Sequence, residues 1–367
     1  MDRAIGIITT NYETPDLKEL INGRTAASVP YGGRYRMIDF SLSNMENADI
    51  TTVGIITPYK YRSLIDHFGA GSEWNLDRKI GGLFVLPGSV FGISTKGSRF
   101  LLRDFRRNMV FLSRASAKYV VVTTANIVAN LDYNKMIDQH EQPSADITLA
   151  YVDGVRDDND ISTIVTDESG KVKDILRGVK KGDKAFVDSF VISYELLLKV
   201  LDWYAAIDYL DLFEALAADF DKMDIRLFKV EGYLRSIYSA GNYFRNSMDL
   251  LRPEVSDELF RRDRPIATKI TDAPPTKYGA ECVVKNSLIP AGCIIEGTVE
   301  NSILFRGVTV GKGAVVRNAI VMQSCKIGDG AVVENAIIDR SNKIEAGSVL
   351  KGTPENILIK EKNELGN

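Results

Sequence analysis

Residues 24–44 read R-T-A-A-S-V-P-Y-G-G-R-Y-R-M-I-D-F-S-L-S-N, and the fold is decided by how this stretch is read. It follows an apolar run at 4–9 that predicts an opening strand. It turns at Gly32-Gly33 and then enters a helix-like segment expected to be capped around Ser41 or Ser43. A strand, a loop and a helix in that order open an α/β domain, and such a loop ordinarily cradles a phosphate. Backbone N–H groups and the helix dipole converge there. Here the loop between Thr9 and Arg24 holds a single glycine, Gly23, at its far end. Side chains such as Asn11, Tyr12, Glu13 and Pro15 keep the backbone away from a phosphate, so the cradle is poor.

Outward from this stretch, short β-branched runs alternate with helical patterns up to about residue 250. The runs at 53–57, 119–123 and 147–152 are almost continuously apolar, as buried parallel strands are, and helix-like stretches cover 61–68 and 103–116. This alternation predicts a doubly wound, Rossmann-like α/β domain over 1–250 whose functional edge lies at the carboxyl ends of the strands. The acidic run Asp157-Asp158-Asn159-Asp160 reads as a metal site or as a solvated turn, and nothing in it fixes a ligand geometry.

Residues 251–280 form a linker, with Leu251-Arg252-Pro253 closing the first domain and Ala273-Pro274-Pro275-Thr276 stiffening the connection. A repeat follows. The hexapeptides that begin at Val284, Val299, Val316 and Val333 share one frame, and turns such as Gly311-Lys312-Gly313 and Gly328-Asp329-Gly330 separate them. Aliphatic residues recurring every five or six positions predict a left-handed parallel β-helix of about four coils over 281–352, at ~18 residues per coil. A tail of 353–367 ends the chain. Asn286, Asn301, Asn318 and Asn335 are expected to stack at one corner. Hexapeptide helices also serve acyltransferases, which use a histidine as base, but no histidine follows His140. A structural or assembly role for this domain is the expectation.

Composition narrows the function classes. Lys and Arg number 46 against 49 acidic residues, so no charge excess points to nucleic acid or to a membrane surface. No apolar run approaches the ~18 residues of a membrane span. Three cysteines far apart and two histidines, His67 and His140, make a zinc site a poor reading, and the chain reads as a reduced, cytoplasmic protein.

The 24–44 stretch resembles the ADP-glucose pyrophosphorylase (glucose-1-phosphate adenylyltransferase) family of bacterial glycogen synthesis. Family members carry a G-G-x-G-x-R-L loop followed by R-A-K-P-A-V-x-F-G-G-K-Y-R-x-I-D-F-x-L-S-N. This chain keeps Arg24, Val29, Gly32, Gly33, Tyr35, Arg36, Ile38, Asp39, Phe40, Leu42, Ser43 and Asn44, puts Ala26-Ala27 in place of Lys-Pro, and lacks the glycine-rich loop. The likeness extends over nearly the whole chain, including W-N-L-D-R-K-I-G-G at 74–82.

The resemblance implies a nucleotide transfer that needs Mg²⁺ on hard carboxylates. It also shows what this chain lacks. Ala125 stands where the family's A-G-D-H motif has its metal-binding Asp, and Ser236 where W-R-D-V-G-T has the second. Tyr238 replaces that motif's glycine. The family's E-K-P lysine is missing from Arg177-Gly178-Val179, although Lys180 and Lys181 lie near. Asp188-Ser189-Phe190 replaces the S-M-G stretch against the glucose, where the Phe190 ring is expected to fill the hexose space. Asp132, seven residues past Ala125, is the neighbour that could substitute for a lost carboxylate.

Arg24 and Arg36 are candidates for binding an anionic effector, because the family uses this segment so; ion pairs with carboxylates such as Asp39 or Glu46 are the alternative. The resemblance is nearest to the family's non-catalytic regulatory subunits. It implies a hetero-oligomer, a tetramer, with a catalytic subunit, no cofactor bound by this chain, and Mg²⁺ only in that partner. An active adenylyltransferase and a free-standing sugar-phosphate-binding protein are the alternatives.

Overall fold

A computed structural model describes residues 2–10, 15–58, 60–89, 99–114, 117–142, 145–154, 162–177 and 184–362. The loop residues Asn11, Tyr12 and Glu13, the acidic run 157–160, and Gly178, Val179, Lys180 and Lys181 therefore lie outside the described residues. Two compact units divide the chain, and they interleave in sequence. One comprises Met1–Glu13, Ile38–Ser236 and Arg261–Ala267; the other comprises Thr14–Met37, Ile237–Phe260 and Thr268–Asn367. The sequence had suggested consecutive domains at 1–250 and 281–352 with a linker between them. The difference has a packing cause. Tyr31 donates to the Asn246 carbonyl at 2.7 Å, Tyr243 donates to the Pro30 carbonyl at 2.6 Å, and Tyr35 stacks on Phe260 at 4.9 Å. The 24–44 stretch therefore begins among residues of the second unit.

In the first unit the sheet runs Val172–Arg177, Ser162–Thr166, Lys184–Ser193, Ala117–Thr124, Asp2–Thr9, Thr52–Thr57, Gly82–Pro87; Ile147–Asp153 also pairs with Lys184–Ser193, and Ile225–Lys229 with Ile147–Asp153. The four strands from Ala117–Thr124 to Gly82–Pro87 are parallel, with Ile7 between Val122 and Gly54. The runs of Thr52–Thr57 and Ala117–Thr124 are buried on both faces, as the sequence pattern predicts, while Gly82–Pro87 at the edge of the sheet is partly exposed. Lys184–Ser193 runs antiparallel to Ala117–Thr124, so the sheet is mixed. The helix after the hairpin spans Met37–Glu46, starting where Met37 N–H meets the Val29 carbonyl at 3.1 Å. Ser41 and Ser43 are thus interior and not caps. Ser41 donates to the Thr124 carbonyl at 3.0 Å, and Ser43 Oγ accepts from Trp74 Nε1 at 3.1 Å. The helix expected over 103–116 is divided into Leu102–Arg107 and Met109–Arg114. At the break, the Asn108 side chain donates to the Asp104 and Pro87 carbonyls at 2.8 and 3.0 Å.

In the second unit the repeat forms a parallel β-helix. Val284, Val299, Val316, Val333 and Leu350 stack in register, as do Ile295, Val310, Ile327 and Ile344. Val299, Val316 and Val333 are fully buried, but Val284 is 37% exposed because it belongs to the first coil, with no coil stacked on its outer side. The four corner asparagines take φ between +41° and +49°, which asparagine tolerates better than other side chains. Asn286 Nδ2 donates to Asn301 Oδ1 at 2.7 Å, and Asn318 donates to Asn335 at 3.4 Å. Gly33, at φ +79°, brings the hairpin backbone of this unit against its first β-helix coil: a Cβ there would lie 2.4 Å from Leu288. Among the described residues no helix is long and apolar enough to cross a membrane.

Candidate functional site

The parallel strands of the first unit end together. Thr9 pairs with Thr124, and Ala125, the next residue, donates its N–H to the Thr9 carbonyl at 3.2 Å. The short strand Leu234–Ser236 pairs antiparallel with Ile127–Ala129, setting Ser236 opposite Ile127. The two positions inferred from separate motifs are therefore brought to one place at the carboxyl edge of the sheet. Both are buried, and they offer a methyl group and a hydroxyl. Neither is the hard anionic oxygen that Mg²⁺ takes from a protein. Thr124 Oγ1 donates to Asn126 Oδ1 at 2.6 Å, while Thr9 Oγ1 is buried and meets no partner among the described residues.

Asp132 does not replace the missing acids. Its Oδ1 accepts from the Lys135 N–H at 3.1 Å as the cap of helix Tyr133–Glu141, and its Oδ2 lies 2.7 Å from Arg264 Nη1. Among the described residues no three His, Cys, Asp or Glu side chains gather as a metal site. The donor set at this edge does not fit Mg²⁺, and no reaction step is derived through that ion.

The expectation for Phe190 needs correction. Its ring is fully buried in the apolar core, edge-on to Phe100 and Phe213 at 5.0 Å each, and does not line the sheet edge. Ser189 and Asp188, one and two residues before it, place polar groups at that level of the sheet. Ser189 Oγ lies 3.0 Å from the Tyr133 hydroxyl, and burial raises the pKa of that phenol. Asp188 forms a buried ion pair with Arg99. Neither Asp188 nor Arg99 was singled out as a functional charge from the sequence. The two lie 89 residues apart and share no motif, so only their burial beside one another identifies them.

In the second unit Arg24 does not face an open anion site. Its Nη2 meets Asp339 Oδ2 at 2.8 Å and its Nε donates to the Leu20 carbonyl at 2.6 Å, with the Arg24 and Asp339 side chains 4% and 3% exposed. Asp39 and Glu46, the carboxylates named for such a pairing, have polar partners of their own. Asp39 Oδ1 lies 2.5 Å from His67 Nε2, and Glu46 Oε1 accepts from Asn75 at 2.7 Å. Arg36 is half-buried on the hairpin strand Tyr35–Arg36, which pairs with Pro30–Tyr31. Arg34, exposed in the turn of that hairpin, donates to the Tyr35 hydroxyl at 2.7 Å. Arg306 is half-buried; burial, then the charge of Arg34, holds its pKa below the ordinary value. Two guanidinium groups therefore feel one another here, a pairing the sequence reading did not assign.

Comparison with known proteins gives a consistent lineage. Residues 16–176 match the nucleotidyl transferase family, and residues 271–356 match the GlmU-like C-terminal hexapeptide family. The chain is similar to the glycogen biosynthesis protein GlgD of Bacillus subtilis (33% identical over 317 residues, 86% of this chain and 83% of the relative). It is similar also to GlgD of Geobacillus stearothermophilus, at 37% over 315 residues, with the same shares covered. The glucose-1-phosphate adenylyltransferase of Clostridium perfringens is 30% identical over 326 residues, 85% of this chain and 78% of the relative.

Proposed function

We propose, from the premise that this chain belongs to the family of the GlgD glycogen biosynthesis proteins and the glucose-1-phosphate adenylyltransferases, that it is a regulatory, catalytically impaired subunit of an ADP-glucose pyrophosphorylase acting in bacterial glycogen biosynthesis. One observation carries this reading. The sheet edge that should hold the metal presents Ala125 and Ser236 where two carboxylates belong. Without them the charge that develops on a transferring nucleotidyl group goes unneutralised, a loss of several kcal/mol of transition-state stabilisation. A chain of this kind influences flux by touching an enzyme, so the partner proposed is a catalytic subunit of the same family, in a hetero-oligomer such as a tetramer in the cytoplasm. Mg²⁺ is then the partner's cofactor.

The same reading assigns an anionic effector, such as a sugar phosphate, to the second unit. Arg24 already serves Asp339, and the groups offered to an anion are Arg34, exposed in the turn of the hairpin, and Arg306, whose guanidinium feels the charge of Arg34. An active adenylyltransferase is the second reading, favoured by relatives of that name at 30% identity.

The test is ADP-glucose pyrophosphorolysis by the chain alone and mixed with a catalytic subunit. The proposal expects no turnover alone and raised activity in the mixture. Turnover alone within the ordinary ~1–1000 per second would establish the second reading instead.

A further inference from the structure

Asp188 is strained in a way the sheet does not require. Its φ of +51° lies in the left-handed region, and it sits where the pairing of Lys184–Ser193 with Ile147–Asp153 slips between Phe186 and Phe190. Such a backbone is disfavoured and persists only when its surroundings hold it. The side chain is buried against the guanidinium of Arg99, also largely buried. Arg99 is held in turn. Its N–H and that of Phe100 donate to Asp211 Oδ2 at 2.9 and 2.8 Å, and Asp211 Oδ1 accepts from Phe213 at 3.1 Å. The backbone that carries the guanidinium is thus anchored to Asp211, the cap of helix Leu212–Leu216.

The register says where this pair lies. Ser189 is opposite Thr123, so Asp188, one residue before it, reaches the level of Thr124, which pairs with Thr9 and precedes Ala125. That is the carboxyl edge of the sheet, where open α/β folds bind their ligands. Stability alone does not explain the pair, since apolar groups of similar volume do as well in a buried site. We infer that Arg99 is an anion site for a phosphate group, occupied in the native chain by the carboxylate of Asp188 as a built-in competitor. The chain's own anion takes the place of a diffusible one and leaves the edge neutral without a metal. This deepens the reading of that edge as one that has lost its metal carboxylates, and rests on it.

The test is calorimetric titration of the full chain with inorganic phosphate and with glucose 1-phosphate. Asp188→Gly removes the competitor and suits φ +51°; Asp188→Asn keeps the volume and tolerates that backbone. Either variant should bind a probe at least about tenfold more tightly than the native chain, and adding Arg99→Met should abolish the gain. A larger gain for glucose 1-phosphate than for phosphate places the sugar in contact with the site as well. Folded variants that bind no more tightly than the native chain overturn the inference, as does a gain that survives Arg99→Met. Loss of the folded near-ultraviolet circular dichroism signal in both variants also overturns it, because the pair would then be a structural requirement. Turnover by the native chain, by contrast, would refute the regulatory reading and leave this binding result standing.

Discussion

Replacing Arg24 by alanine should damage the fold more than any ligand site. In the native chain Asp339 Oδ2 meets Arg24 at 2.8 Å, and among the described residues its Oδ1 accepts only a backbone N–H, that of Arg340 at 2.7 Å. Arg24→Ala leaves that carboxylate buried with its charge uncompensated, and the Leu20 carbonyl loses a 2.6 Å donor. Breaking a buried pair from one side costs about 3–5 kcal/mol, and the lost hydrogen bond adds about 1 kcal/mol. In thermal unfolding followed by circular dichroism, that lowers the midpoint by roughly 10 °C or more. The double variant Arg24→Met/Asp339→Leu removes both charges and fills the space, and should recover most of the loss. If Arg24→Ala melts within about 1 kcal/mol of the native chain, or the double variant is no more stable than the single, the ion pair is not what holds this segment.

Three further outcomes can be checked. Ala125→Asp/Ser236→Asp restores two carboxylates at a buried edge; the variant should be less stable than the native chain in chelator and regain stability with Mn²⁺ or Mg²⁺, while the native midpoint does not respond. In the β-helix, Ile327→Ala should cost about 2–5 kcal/mol by urea denaturation, whereas Val284→Ala, on the open first coil, should cost less than about 1 kcal/mol. His140 has its pKa lowered to about 4, first by burial and then by the charge of Arg226, so the folded state takes up its proton later than the unfolded chain on acidification. Its contribution is complete above the ordinary histidine pKa of about 6.5 and is lost as pH falls from there to about 4, by about 2–3 kcal/mol; a His140→Gln variant should lack that slope.

The features legible in the sequence were those with a period or a local motif. The β-helix was visible because each coil cannot bury its aliphatic row alone and must repeat it, so Val299, Val316 and Val333 announce one another. The corner asparagines were visible because few other side chains accept positive φ. Ala125 and Ser236 could be found one at a time, each within its own motif, although only the antiparallel pairing of Leu234–Ser236 with Ile127–Ala129 brings them together. Long-range pairs were not legible. Arg24 finds Asp339 at a separation of 315 residues, and Arg99 finds Asp188 at 89; no propensity or spacing links either pair. Phe190 was misplaced because the rings it packs against, Phe100 and Phe213, lie far from it in sequence, and no local motif announces that its face of the strand meets them.

The interleaving of the two units reaches beyond this molecule. The chain passes from one to the other at 13–14, 37–38, 236–237, 260–261 and 267–268. No single cut therefore releases either unit whole, and a fragment beginning at the β-helix would leave behind the hairpin whose Gly33 fits against Leu288. Recombination that joins genes end to end cannot trade one unit for a foreign counterpart without discarding part of it. Descendants of such a chain are bound to inherit both units together. A copy that loses its chemistry still carries the complete β-helix unit.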